Sequence, residues 1–117
     1  LDELSVTGRN YVACLRDGHV SRFELDPGDY GLSIAPLASV RGGDATENAR
    51  ITRDILAGER GARRDMVLLN AGAALVAANV ATDLHEGIQR AADAIDSGRA
   101  TQVLDNLIAF TQGVPVP

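Results

Sequence analysis

No tryptophan occurs in the 117 residues, and phenylalanine and tyrosine occur twice each. A core without many rings must be built from Ala, Val, Leu and Ile, whose side chains bury less area apiece than an aromatic one. Tight packing between helices is the route left to it. Cysteine is nearly absent as well: Cys14 stands alone and excludes an internal disulfide, so nothing indicates an oxidising compartment and the cytoplasm is the expectation. Positive charge is scarce, with 11 Lys and Arg against 16 Asp and Glu and a net charge of −5. Such a chain repels a polyphosphate backbone, and no basic cluster interleaved with aromatics relieves that, so nucleic acid is not an expected partner. Long apolar runs are missing too. The longest uncharged stretch, Met66 to Thr82, is interrupted by Asn70, Gly72 and Asn79 and is shorter than the roughly 20 apolar residues of a membrane span. No signal-peptide pattern is readable at the start, and the expectation is a cytosolic chain, or part of one, with no membrane partner.

What is present is the balance of a folded protein, 45% apolar and 23% charged, at a length that fits one domain. Residues Tyr11 to Leu25 read as a hairpin. Asp17-Gly18 lies between two β-rich runs and supplies the positive φ values of a two-residue type I′ turn, which pairs Leu15 with Val20 and Val12 with Phe23. Such a ribbon is marginal alone and should lie against something larger. Asp26-Pro27-Gly28-Asp29 forms a turn and Ser33 to Pro36 an extended link.

From Asp44 onward the period becomes helical. Asp44 and Glu47 form a carboxylate capping pair for a helix that runs to about Ala57, with Ala49, Thr52, Ile55 and Leu56 as its inward stripe. A second helix, about Arg64 to Asn79, is apolar almost all round, and its alanines and Gly72 invite close backbone approach. Asp83 and Glu86 cap a third helix that carries Leu84, Ile88, Ala91, Ala92 and Ile95 and stops at Gly98. The fourth begins near Ala100, carries Val103, Leu104, Leu107 and Ile108, and ends before Gly113. The fold class is therefore α/β, one hairpin followed by four helices. So short a hairpin cannot cover four helices, and residues 1–117 are expected to be the C-terminal part of a larger α/β domain whose remaining sheet lies before Leu1.

Few side chains announce chemistry. The adjacent acids Asp2 and Glu3 point to opposite sides on an extended backbone unless a strand end or turn brings them together. At a sheet edge such a pair holds Mg²⁺ directly or through water, since that ion takes hard oxygen ligands and retains waters. A solvated acidic end is the competing reading. Arg41-Gly42-Gly43-Asp44 suggests a phosphate cradle, but Asp44 puts negative charge where the phosphate would go, which favours a plain helix-entry loop. His19 and His85 are isolated and read as surface residues, and Cys14 reads as a packed or idle thiol. Asn70, in a buried helix, must be hydrogen-bonded, and it is expected to join that helix to a neighbouring backbone. No Ser-His-Asp set, catalytic carboxylate pair at a cleft or zinc-ligand cluster assembles from these residues.

The order of several stretches carries more. Leu1-Asp2-Glu3-Leu4-Ser5 with Thr7-Gly8, then Leu25-Asp26-Pro27-Gly28-Asp29-Tyr30-Gly31-Leu32, then Arg41-Gly42-Gly43-Asp44-Ala45-Thr46-Glu47-Asn48-Ala49, then Leu68-Leu69-Asn70-Ala71-Gly72-Ala73-Ala74-Leu75 resemble the C-terminal part of anthranilate phosphoribosyltransferases. The likeness extends through Glu86-Gly87 and Ala94-Ile95-Asp96-Ser97-Gly98 and covers essentially the whole chain. The resemblance implies an α/β domain of the nucleoside phosphorylase and phosphoribosyltransferase type. It also implies Mg²⁺ bound by Asp2 and Glu3, with phosphoribosyl pyrophosphate and anthranilate as substrates in tryptophan biosynthesis. In relatives the helical N-terminal domain, the glycine-rich pyrophosphate loop and the anthranilate contacts lie upstream, so the 117 residues alone are expected to be inactive. A homodimer built through that N-terminal region is implied for the whole enzyme. The alternatives are a related phosphoribosyltransferase or nucleoside phosphorylase with another acceptor, and a non-catalytic interaction module.

Overall fold

A computed structural model describes residues 3–113. The hairpin forms in the expected register: β1 (Asn10–Arg16) pairs antiparallel with β2 (His19–Leu25), Val12 opposite Phe23 and Leu15 opposite Val20. Asp17 and Gly18 both have positive φ, 51° and 78°, as a type I′ turn requires. Only the open end of the ribbon joins the body of the molecule, through buried Leu25 and half-buried Val12, while Tyr11 and Leu15 stay 82% and 71% exposed. The radius of gyration, 15.5 Å, exceeds the roughly 13 Å of a compact chain this long, in keeping with that projection.

The Asp26-Pro27-Gly28-Asp29 turn winds into one turn of 3₁₀ helix, Pro27–Tyr30, in which the Asp26 carboxylate accepts from the Gly28 N–H. A second short 3₁₀ turn, Leu37–Val40, follows. Four helices then run as α1 (Ala45–Leu56), α2 (Ala62–Ala77), α3 (Leu84–Asp96) and α4 (Arg99–Thr111). Asp44 and Asp83 cap α1 and α3, each accepting from the N–H three residues on, at 2.8 and 2.9 Å. Helix α2 begins and ends two residues earlier than its apolar pattern suggests, because Gly61 opens it and Asn79, at φ 56°, ends it in a left-handed turn whose Val80 N–H bonds back to the Leu75 carbonyl.

The expected inward stripe of α1 is only half correct. Ala49 and Thr52 are exposed, and Ile55 and Leu56 alone among the four reach inside. The reason is that α1 meets α3 and α4 at its C-terminal end and leaves its first turns in solvent. Helix α4 likewise half-buries Leu104 and Ile108 but leaves Val103 and Leu107 exposed.

Two apolar clusters share helix α2. Leu69, fully buried, joins Val6, Leu25 and Leu32 on one side, and Leu68 joins Ala91 and Ile95 on the other. Between α2 and α3 the backbones touch. A Cβ placed on Gly87 would lie 2.5 Å from the Gly72 carbonyl oxygen, and one placed on Gly72 would lie 2.8 Å from the Ile88 nitrogen. Arg64, 4% exposed, secures the same pair of helices by donating from one nitrogen to both oxygens of Asp96, at 2.8 and 2.9 Å. Its other terminal nitrogen is buried with no hydrogen-bond partner among the described residues. Sequence reasoning missed this contact because nothing in the spacing of residues 64 and 96 announces it.

This packing has measurable consequences. Gly87→Ala gains about 1 kcal/mol in helix propensity but drives a methyl into backbone, which costs about 1–3 kcal/mol; urea unfolding should show net destabilisation. Asp96→Ala should destabilise more than Arg64→Met, since the former strands a buried guanidinium and the latter frees a half-exposed carboxylate; about 1–3 kcal/mol separates them in the same measurement. Glu86 titrates low, near 2 instead of 4.5, first because the Thr82 N–H donates to it, then through the Thr82 hydroxyl and Arg90. A carboxylate whose folded pKa is depressed contributes stability that is complete above its unfolded value and is lost as pH falls through the folded one. Between pH 4.5 and 2 the thermal midpoint should therefore fall further for the wild type than for Glu86→Gln.

Candidate functional site

The segment before the hairpin belongs to no strand, yet its backbone is bonded residue by residue. At Leu4 the N–H donates to Asn70 Oδ1 at 3.0 Å and the carbonyl accepts from Asn70 Nδ2 at 2.7 Å. Ser5 is held in the same manner by Asn10, at 2.7 and 2.9 Å. The Val6 carbonyl accepts from the Ala35 N–H, and the Val6 side chain is fully buried. Ser5 and Thr7 hydroxyls lie 2.8 Å apart. A primary amide that pairs with both backbone groups of one residue stands in for a neighbouring strand, and it removes the penalty of about 1–3 kcal/mol for each group left unpaired.

Glu3 precedes this pinned run. It is exposed and lines a cavity of about 400 Å³ whose wall also includes Asn70, Met66, Arg63, Arg41 and Asn48. Asn70 donates a further bond to the Met66 carbonyl at 2.9 Å, so both of its N–H groups are used and its orientation is fixed. The expectation that Asn70 ties its helix to a neighbouring backbone is met, and the backbone it ties is the one beside Glu3. Asp2 lies outside the described residues.

The Arg41-Gly42-Gly43-Asp44 loop borders the same cavity and is built as a helix entry, not a phosphate cradle. The Gly43 N–H donates to Asn48 Oδ1 at 2.9 Å and its carbonyl accepts from Asn48 Nδ2 at 3.0 Å, so that amide is already committed. The Arg63 guanidinium donates to the Arg41 carbonyl at 2.9 Å. Neither Asn10 nor Asn48 stood out in the sequence, although a short-range Asn beside a glycine-rich turn is a recognisable signal for such bonding.

The remaining candidates lie apart from Glu3. His19 is exposed at the hairpin turn, its Nδ1 3.0 Å from the Asp17 carbonyl. His85 is exposed against the Tyr30 ring, with centroids 4.7 Å apart. Cys14 is half-buried on β1. Among the described residues no three His, Cys, Asp or Glu side chains converge as a closed metal cage. Among the described residues the candidate donor is Glu3, an exposed residue lining the cavity, and a lone carboxylate suits a hard cation that keeps waters and shares its shell with a substrate, which is how Mg²⁺ is commonly held. Among the described residues no helix is long and apolar enough to cross a membrane.

The fold as a whole has counterparts among known proteins. The chain is 50% identical over 111 residues to an anthranilate phosphoribosyltransferase of Symbiobacterium thermophilum and 51% identical over 112 residues to that of Mesorhizobium japonicum. These alignments cover 95% and 96% of this chain and 33% of each relative, so the chain spans about a third of their length. Its fold superposes on the crystal structure of anthranilate phosphoribosyltransferase from Thermus thermophilus with a TM-score of 0.85 at 36% identity, covering 96% of this chain and 33% of that one. The Saccharomyces cerevisiae enzyme in complex with PRPP and Mg matches with a TM-score of 0.78 at 28% identity, over 90% of this chain and 30% of that one. The hairpin and four helices are thus those of a known α/β transferase domain. Residues 1–101 match the family described as the glycosyl transferase family, a/b domain, and the chain belongs to that family.

Proposed function

We propose that the chain supplies the C-terminal, carboxylate-bearing part of the α/β domain of an anthranilate phosphoribosyltransferase. The reaction replaces the bond from the ribose C1 to pyrophosphate with a bond from C1 to the amino nitrogen of anthranilate, releasing pyrophosphate and the amine proton. The observation that carries the reading is about 50% identity over nearly the whole chain to enzymes of that name. The yeast structure holding PRPP and Mg supports the choice of donor and metal.

Asp2 and Glu3 are the proposed Mg²⁺ ligands. When bound there, Mg²⁺ offsets the negative charge that develops on departing pyrophosphate. The chain's own part is to place hard oxygen donors: Glu3 lines the cavity, ahead of a backbone that two asparagines bond. A chemistry of positioning and charge needs no nucleophile, and the absence of a Ser-His-Asp set from the sequence is no obstacle to it. Homodimerisation and a cytoplasmic location belong to the same proposal, as what the resemblance to that enzyme family implies.

The decrease of anthranilate fluorescence tests the reading. In the complete polypeptide, Asp2→Asn with Glu3→Gln should lower kcat/KM by about a hundredfold or more and abolish the dependence on Mg²⁺. Wild-type turnover with an unchanged Mg²⁺ dependence would contradict the metal role. The 117 residues alone should give no turnover, and measurable turnover would contradict the division of labour.

A further inference from the structure

We propose that Asn70 is a positioning residue for the Glu3 carboxylate, acting from helix α2 through the backbone of Leu4. The inference rests on the metal role proposed above. Among the described residues no side chain holds the Glu3 carboxylate, so the backbone that carries Glu3 is what fixes the point from which its side chain reaches out. That backbone is fixed one residue later, where Asn70 closes on both the N–H and the C=O of Leu4, at 3.0 and 2.7 Å. The third bond, from Asn70 to the Met66 carbonyl, stops the amide from turning over. Asn70 also follows Leu68 and Leu69, both buried, so the clamp stands directly on the apolar core. Asn70 and Glu3 border the same cavity, which places the clamp beside the ligand it orients.

A purely structural Asn70 would stabilise the fold and leave metal affinity alone. The test measures Mn²⁺ binding by electron paramagnetic resonance, in the presence of inorganic pyrophosphate, on the complete polypeptide and four variants: Asn70→Ala, Asn70→Leu, Glu3→Gln and Asp96→Ala. Asn70→Leu keeps the side chain's bulk where Asn70→Ala opens a gap. Asp96→Ala is the control for lost stability, at the far end of α3 from its cap. The expected result is Mn²⁺ affinity about tenfold weaker in both Asn70 variants, weaker still in Glu3→Gln, and unchanged in Asp96→Ala. Wild-type affinity in the Asn70 variants with weakened binding in Glu3→Gln would overturn the positioning role and leave the metal reading standing. Equal weakening in Asp96→Ala and the Asn70 variants would also overturn it, as a stability effect. Undiminished binding in Glu3→Gln would overturn both.

Discussion

A primary amide presents a donor on one side and an acceptor on the other, and a single residue of a strand edge presents its N–H and C=O in the same direction. The match between these two is the interaction on which the candidate site depends. Among the described residues it occurs three times: Asn70 on Leu4, Asn10 on Ser5 and Asn48 on Gly43. In each case the residue clasped lies in no strand or helix, where a ladder would otherwise satisfy it. Without these amides the segments on either side of the cavity would owe their backbone bonds to water, and neither Glu3 nor the Arg41 loop would have a defined place.

Helix α2 is where the clasp draws its rigidity. Along one helix, Arg64 reaches Asp96, Leu68 and Leu69 enter the two apolar clusters, Asn70 takes the amino segment and Gly72 admits the backbone of α3. These contacts fall on successive turns and different faces, which explains why the sequence of α2 is apolar nearly all round although the helix is not wholly buried. Asn70 thus grips Leu4 from a helix that is fixed at several points along its length. The small side chains of a chain poor in aromatics serve this end, because two glycines in contact leave the helices little freedom to slide.

Local chemistry made much of this legible in the sequence. Asp17-Gly18 specified the hairpin turn and thereby its register, and Asp44 and Asp83 specified two helix starts, since each acts within four residues of itself. What the sequence did not disclose is set by contacts distant along the chain. Arg64 with Asp96 and Asn70 with Leu4 are 32 and 66 residues apart, and no periodicity encodes their meeting. Ala49 and Thr52 read as core because helical spacing shows which residues share a face but not whether anything covers it. Glu3 is singled out as a proposed ligand by the order of residues around it, and the cavity it lines is visible only in the fold.

The central claim is that the backbone beside Glu3 is held as firmly as the helix that grips it. Amide hydrogen exchange under native conditions measures this directly at Leu4. The account predicts that the Leu4 N–H exchanges as slowly as that of Leu69 in the core of α2. Exchange of Leu4 at the rate of an unstructured chain, with Leu69 still protected, would contradict it.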